Sequence, residues 1–226
     1  VAFCTVDRIM RDLGMNGVVR GRTLRTTIPA KDGVRAGDRL NRDFTAAAPD
    51  LVWVADFTYV STWTGWAYVA FVFDACSRAI VGWTASSTKT TGLVSKALNM
   101  AVWRREHYGR PIEPGLIHHW DAGSQYTSVK FTESLALRGL SASIGSVGDA
   151  YGNALAESII GLFKTEVVRR HGPFKTVDDV EYALMERVDW YNNARLHSRL
   201  DYLTPVEYET AHYARNPARR PALVNT

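Results

Sequence analysis

The sequence predicts a mixed α/β fold, a five-stranded sheet with helices on its faces. Three observations predict it. Between Leu51 and Ser86 three runs rich in β-branched and aromatic residues, LVWVADFTYV, GWAYVAFVFD and RAIVGWTAS, are joined by connections so short that only antiparallel neighbours can form. Downstream, helical and strand patterns alternate, which requires crossovers and therefore parallel additions to the same sheet. Finally, 226 residues that are 46% hydrophobic and 22% charged can bury a self-sufficient core without a metal or a disulfide framework.

Each element follows from its local pattern. Thr5 is placed to cap a short helix whose apolar residues Val6, Ile9, Met10 and Leu13 recur at helical spacing, and Gly14 ends it. GVVRGRTLRTTIPAKDGVRAGDRL has no helical period and reads as a basic linker. The lone helix and the absence of an initiator Met suggest further chain upstream. The three strands follow, turning at WTG and DACS. Thr91–His107 is a helix, with Val94, Ala97, Leu98, Ala101 and Val102 on one side, and PGLIHHW is a short strand. A helix near Ser128–Arg138, the strand SASI and a helix from about Asn153 to Arg170 complete the alternation. Two last helices begin at capping boxes, Thr176 with Asp179 and Thr204 with Glu207, the second with Pro205 at its first position.

Composition excludes several classes. The longest uninterrupted apolar run, Ala67–Phe73, is far short of the roughly 18 residues that cross a bilayer. Asp7 and Arg8 fall where a signal peptide needs an apolar stretch, so a cytoplasmic protein without membrane association is expected. Cys4 and Cys76 make neither a disulfide framework nor a zinc cluster by spacing. The net charge of +4 is unevenly spread. Residues 1–31 hold Arg8, Arg11, Arg20, Arg22, Arg25 and Lys31 against Asp7 and Asp12, and the end of the chain adds Arg215, Arg219 and Arg220 with no acid. Such ends are either solvated termini or arms that neutralise phosphate.

Three carboxylates stand out. Asp56 sits inside VWVADFTYV, a strand apolar on both faces, where a buried carboxylate must be hydrogen-bonded, by Thr58 or backbone, or bound to metal. Asp121 follows the strand GLIHHW at its tip, where α/β sheets carry their sites. His119 shares its face and at most supports it, whereas His118 and Trp120 point the other way; His118 reads as structural. Glu157 lies on a helix face with Asn153, Gly161 and Lys164, opposite Leu155, Ile159, Leu162 and Phe163, a pattern that a solvated face would also show. Together the three could converge on two Mg²⁺ ions, hard cations suited to few carboxylates and to phosphodiester chemistry.

At these residues the sequence resembles the DDE transposases and retroviral integrases, and within them the bacterial insertion-sequence transposases encoded in a second, overlapping frame. The resemblance is carried by VADFTYV with Asp56, HHWDAGSQYTS with Asp121, YGNALAESIIGLFKTE with Glu157, the 35 residues between the last two acids, and the C-terminal WYNNARLHSRLDYLTPVEYE. CTVDRIMRDLGMNGVVRG is similar to the end of the family's helical DNA-binding segment. The resemblance implies a ribonuclease H-like core and metal-dependent DNA cleavage and strand transfer, in which a 3′-hydroxyl attacks a phosphodiester. It makes Asp56, Asp121 and Glu157 the catalytic, metal-binding triad for two Mg²⁺ or Mn²⁺ ions. It places Lys164 on double-stranded DNA, both element ends and target. Asn153 on the same helix face and Arg20, Arg22 and Arg25 of the basic arm are further expected DNA contacts. A homo-oligomer on DNA, associated with the nucleoid, is implied as well. Trp120 and Ala122 replace the Ser and Arg that often flank the second Asp, and Gly152 replaces an Asp; these departures bear on DNA contacts and rate. The HHCC zinc module of retroviral integrases is absent from the sequence.

The expected organisation is a partial DNA-binding segment and basic linker at 1–45, a catalytic core with C-terminal helices at 46–212, and a basic tail at 213–226. The rival readings are a catalytically idle DNA-binding relic and a nuclease on the same fold. A two-carboxylate glycosidase needs neither a third acid nor basic arms.

Overall fold

A computed structural model describes residues 2–15, 40, 45–120, 129–145 and 154–215. In chain order these contain α1 (Phe3–Asp12), β1 (Val52–Thr62), β2 (Gly65–Asp74), β3 (Ile80–Ser86), α2 (Thr91–His107), β4 (Ile117–Trp120), α3 (Val129–Leu137), β5 (Ser141–Ile144), α4 (Ala154–Phe163), a π-helical stretch (Lys164–Val168), α5 (Arg169–His171), α6 (Val177–Asn193) and α7 (Pro205–Arg215). The five strands form one sheet in the order β3-β2-β1-β4-β5. β1, β2 and β3 are antiparallel, and β4 and β5 are parallel to β1, so the predicted mixed sheet is present.

Strand alternation divides the core into two layers. Val52, Val54, Val69, Phe71 and Phe73 face Leu155, Ala156, Ile159, Ile160 and Phe163 of α4 and Val180, Leu184 and Val188 of α6. Trp53, Ala55, Ala70 and Val72 face Leu93, Val94, Ala97, Leu98 and Ala101 of α2 and Phe131 and Leu135 of α3. Each layer excludes water from one face of the sheet. α2 approaches β3 so closely that a Cβ on Gly82 would lie 2.1 Å from the Ala97 carbonyl oxygen, which is why glycine occupies that position.

The C-terminal helices are clamped to the sheet by polar groups. The Asn192 amide accepts from the Ile80 N–H and donates to the Ile80 carbonyl, both at 2.9 Å, pairing the outer strand as a neighbouring strand would. Glu209 on α7 takes the buried guanidinium of Arg105 through two bonds of 2.7 and 2.8 Å, together with Ser77 Oγ and Arg110. Arg105 also reaches Asp50 at 2.8 Å. Burial works to raise the pKa of Glu209, but the charge and hydrogen bonds of Arg105, with Ser77 and Arg110, hold it below the ordinary carboxylate value. Asp74 is pushed up to about 7, first by burial and then by Asp50.

Both predicted capping boxes are formed, by Thr176 with Asp179 and by Thr204 with Glu207, and Pro205 is the first residue of α7. Two local expectations are corrected. α1 begins at Phe3 after Ala2 and has no side-chain cap, so Thr5 lies inside the helix. The long helix predicted from Asn153 is α-helical only to Phe163, then widens to a π turn, and Leu162 is half-buried. Among the described residues no helix is long and apolar enough to cross a membrane.

Candidate active site

The parallel pairing of β1 and β4 sets the geometry. Its register runs Val52↔Ile117, Trp53↔His118, Val54↔His119 and Ala55↔Trp120. It ends there, and the next residue of each segment in the sequence is an aspartate, Asp56 and Asp121. β1 continues beyond Ala55 as far as Thr62, whereas β4 stops at Trp120.

The sequence predicts a buried Asp56, and the structure corrects this: the residue is half-buried. Its strand position has the parity of Val52 and Val54, which places the side chain on the α4 layer. One carboxylate oxygen accepts the Phe57 N–H at 2.7 Å, the backbone solution anticipated for an acid in this strand. Among the described residues β4 pairs with β1 only as far as Ala55.

Glu157 stands in the first turn of α4 and is exposed. The same helix buries Leu155, Ala156, Ile159, Ile160 and Phe163 against β1, so the apolar side docks as predicted and the acid lies on the other side. A carboxylate in a first helical turn is favoured by the helix dipole. Lys164 opens the π stretch, half-buried, with Nζ 5.2 Å from the ring centre of Tyr59 on β1. Thr165 Oγ1 donates to the Gly161 carbonyl at 2.7 Å inside that turn.

The paired histidines divide as the strand period demands. His118 packs with Trp120 and Phe131 on the α3 layer, and burial, followed by the neighbouring His119, pushes it down to about 3, so it is neutral. His119 faces the other layer and pairs with Ser143 Oγ at 2.9 Å. Trp120 is fully buried, edge-on to Phe131. Its departure from the family pattern therefore serves the core.

Asp121, Asn153, Arg20, Arg22, Arg25, Ala122 and Gly152 lie outside the described residues. Of the predicted triad, the structure describes Asp56 and Glu157. Among the described residues no group of three or more His, Cys, Asp or Glu side chains could hold a metal ion. The donor chemistry nevertheless fits a hard divalent cation: half-buried Asp56 and exposed Glu157 both supply carboxylate oxygens, the donor type that such a cation takes.

Tyr59, beside Lys164, and Trp63 and Trp66 at the β1–β2 turn are residues that the sequence pattern does not single out. Their signal is aromatic content, Tyr59 and Trp66 in runs that read as strands and Trp63 in the WTG turn. A cleft of about 690 Å³ lies elsewhere, at the β3 edge between α2 and α6. Trp83, Met100, Trp103 and Met185 line it, two strands away from β1.

Comparison with known proteins agrees with this architecture. Residues 46–150 and 138–205 match two descriptions of the integrase core domain family. Over 222 residues the chain is 48% identical to a putative transposase for insertion sequence element IS986/IS6110 from Mycobacterium tuberculosis H37Rv, covering 98% of this chain and 79% of that protein. It is 52% identical over 214 residues to the transposase for insertion sequence element IS629 from Shigella sonnei, covering 95% and 70% respectively. Among solved structures, the HTLV-2 integrase catalytic core domain in complex with magnesium, in its dimeric form, superposes with a TM-score of 0.54 at 16% identity, over 72% of this chain and 98% of that one. At that identity the likeness establishes the ribonuclease H-like fold.

Proposed function

Because the chain belongs to the integrase core domain family, among the insertion-sequence transposases, we propose that it carries out DNA transposition by metal-dependent cleavage and strand transfer at Asp56, Asp121 and Glu157. The observation that carries this reading is the β1–β4 register, which ends one residue before an aspartate in each segment, beside α4, the helix that carries Glu157 and docks on the layer of Asp56. Membership makes the protein a nucleotidyl-transferring enzyme acting on DNA; the residue roles are our assignment.

The three carboxylates would hold two Mg²⁺ or Mn²⁺ ions. When bound, such ions activate the attacking 3′-hydroxyl and steady the leaving oxygen. The chain's own groups do the rest. β1 fixes Asp56 in a rigid central strand, and α4 fixes Glu157 through its buried side, so neither acid needs to be ordered when DNA arrives. Lys164 and Asn153 are assigned to backbone phosphate near the reacting bond. Arg20, Arg22 and Arg25 are assigned to flanking phosphates, where they release counterions without reading sequence. A homo-oligomer joins two element ends on the target.

The idle-relic reading is not favoured, because all three acids stand in the sequence and the relatives match along nearly the full chain. A nuclease differs in its product. With a labelled element end and supercoiled target, Mg²⁺ or Mn²⁺ should give joined product and a chelator should abolish it. Cleavage without joining would assign the chain to hydrolysis.

A further inference from the structure

Beyond Ala55, β1 runs past the end of β4, and with β2 it forms a hairpin whose tip carries unusually large exposed rings. Trp63 is 69% exposed, Trp66 52% and Tyr59 39%. Leaving such area in water forgoes the stabilisation that burial would give, and exposed apolar patches of this kind mark binding surfaces.

The rings stand on a rigid support. Trp63 N–H donates to the Phe174 carbonyl at 3.0 Å and Thr64 N–H to the Lys175 carbonyl at 3.2 Å, tying the tip to the segment before α6. Thr62 Oγ1 closes the turn on the Gly65 carbonyl at 2.9 Å. Tyr59 and Trp66 meet edge to face, with centroids 5.2 Å apart. Cations are interleaved with the rings. Lys164 Nζ lies 5.2 Å from the Tyr59 centroid, and Lys175 Nζ lies 5.9 Å from that of Trp63.

We infer that this hairpin tip is a stacking site for unpaired bases of the DNA strand that leaves the reaction centre. Rigid aromatic rings alternating with lysines suit a single strand, because every base has a face to stack and every nucleotide a phosphate to neutralise. Paired bases inside a duplex keep their faces in the stack, so the site discriminates opened from closed DNA. Position supports the assignment. Along the β1 backbone, at about 3.4 Å per residue, Tyr59 lies roughly 10 Å from Asp56 and Trp63 roughly 24 Å; the odd parity of Tyr59 sets its ring on the other face of the strand from Asp56, and Lys164, which follows α4, links that ring to the layer of the acids. The inference rests on the transposase reading for its ligand class, DNA, but it needs no joining to be tested.

The test uses the full chain in chelator and two probes. One is a blunt 24-base-pair duplex; the other is the same duplex with eight unpaired thymidines on one strand at one end. The wild type should prefer the tailed probe. Trp63→Ala with Trp66→Ala should weaken binding to the tailed probe about ten-fold and leave the blunt probe within two-fold. Trp63→Phe with Trp66→Phe should retain most of the preference and controls for folding. Lys164→Ala, which removes a cation both from the reaction centre and from beside Tyr59, should weaken both probes and the tailed one at least as much. Equal loss on both probes in the alanine variant, or an undiminished tail preference, overturns the inference. So does a change in sedimentation with no change in tail preference, which would make the tip a surface between copies. A wild type that prefers the tail but does not join DNA would count against the strand-transfer reading alone.

Discussion

Asp56 shows what a single residue discloses in sequence and what it withholds. A carboxylate in an apolar strand signals chemistry, but its half-exposure depends on what packs around it, and nothing in the residues of β1 encodes that. Arg105 is the opposite case. It continues the Leu98–Ala101 stripe of α2 at helical spacing, a legible oddity, yet its partners Asp50 and Glu209 come from 55 residues before and 104 after. His118 allows a residue-scale test. Its folded pKa, about 3, lies below the unfolded value of about 6.5, so the stability it contributes is complete above about pH 6.5. As the pH falls toward 3, unfolding takes up a proton and that stability is lost at about 1.4 kcal/mol per pH unit. Denaturant titrations between pH 6.5 and 5 should show this extra slope in the wild type and not in His118→Phe; equal slopes would mean the ring is charged in the fold. Lys164→Ala should weaken DNA binding across sequences and flatten the dependence of log K on log salt by about one unit. An unchanged slope removes Lys164 from the phosphate contacts.

At the scale of elements, the strands and the two capping boxes were legible because their signals are local, whereas the Thr5 cap was not, since α1 begins at Phe3. The meander, the alternation that follows it and both capping boxes rest on residues within a few positions of one another. The π turn at Lys164–Val168 was not legible, since one shifted hydrogen bond leaves the residue pattern of an ordinary amphipathic helix. Nor was the role of the C-terminal signature, which works through contacts distant in sequence. WYNNARLHSRLDYLTPVEYE supplies Asn192 to the β3 edge and Glu209 to Arg105, so it holds α6 and α7 on the sheet. Asn192→Ala removes both bonds to Ile80 and leaves a buried N–H and carbonyl unpaired, which should cost about 2–4 kcal/mol. A chemical-denaturation midpoint indistinguishable from wild type would show that the edge is satisfied without it. Gly82→Ala should also destabilise, by about 1–3 kcal/mol or more, because the new methyl group meets the α2 backbone at Ala97. Thermal melting checks this, and an unchanged Tm would mean that α2 can retreat from the sheet.

For the molecule as a whole, the sheet organises function by length. Among the described residues β4 ends at Trp120 while β1 continues through Asp56 to Thr62, and the β1–β2 hairpin extends beyond that point with its aromatic tip. One layer of helices presents Glu157, and the C-terminal clamp closes the opposite end around Asp50 and Arg105. The central claim is that Asp56, Asp121 and Glu157 act as one metal-holding set. If so, no acid can replace another, and removing one negative charge also relieves repulsion among them in the metal-free protein. The most direct measurement is strand transfer by Asp56→Asn, Asp121→Asn and Glu157→Gln in Mg²⁺ and in Mn²⁺, with DNA binding and melting recorded alongside. The account predicts that joining is lost in all three variants while DNA binding persists and the metal-free melting temperature stays equal or rises. Normal joining by any one of the three would contradict it.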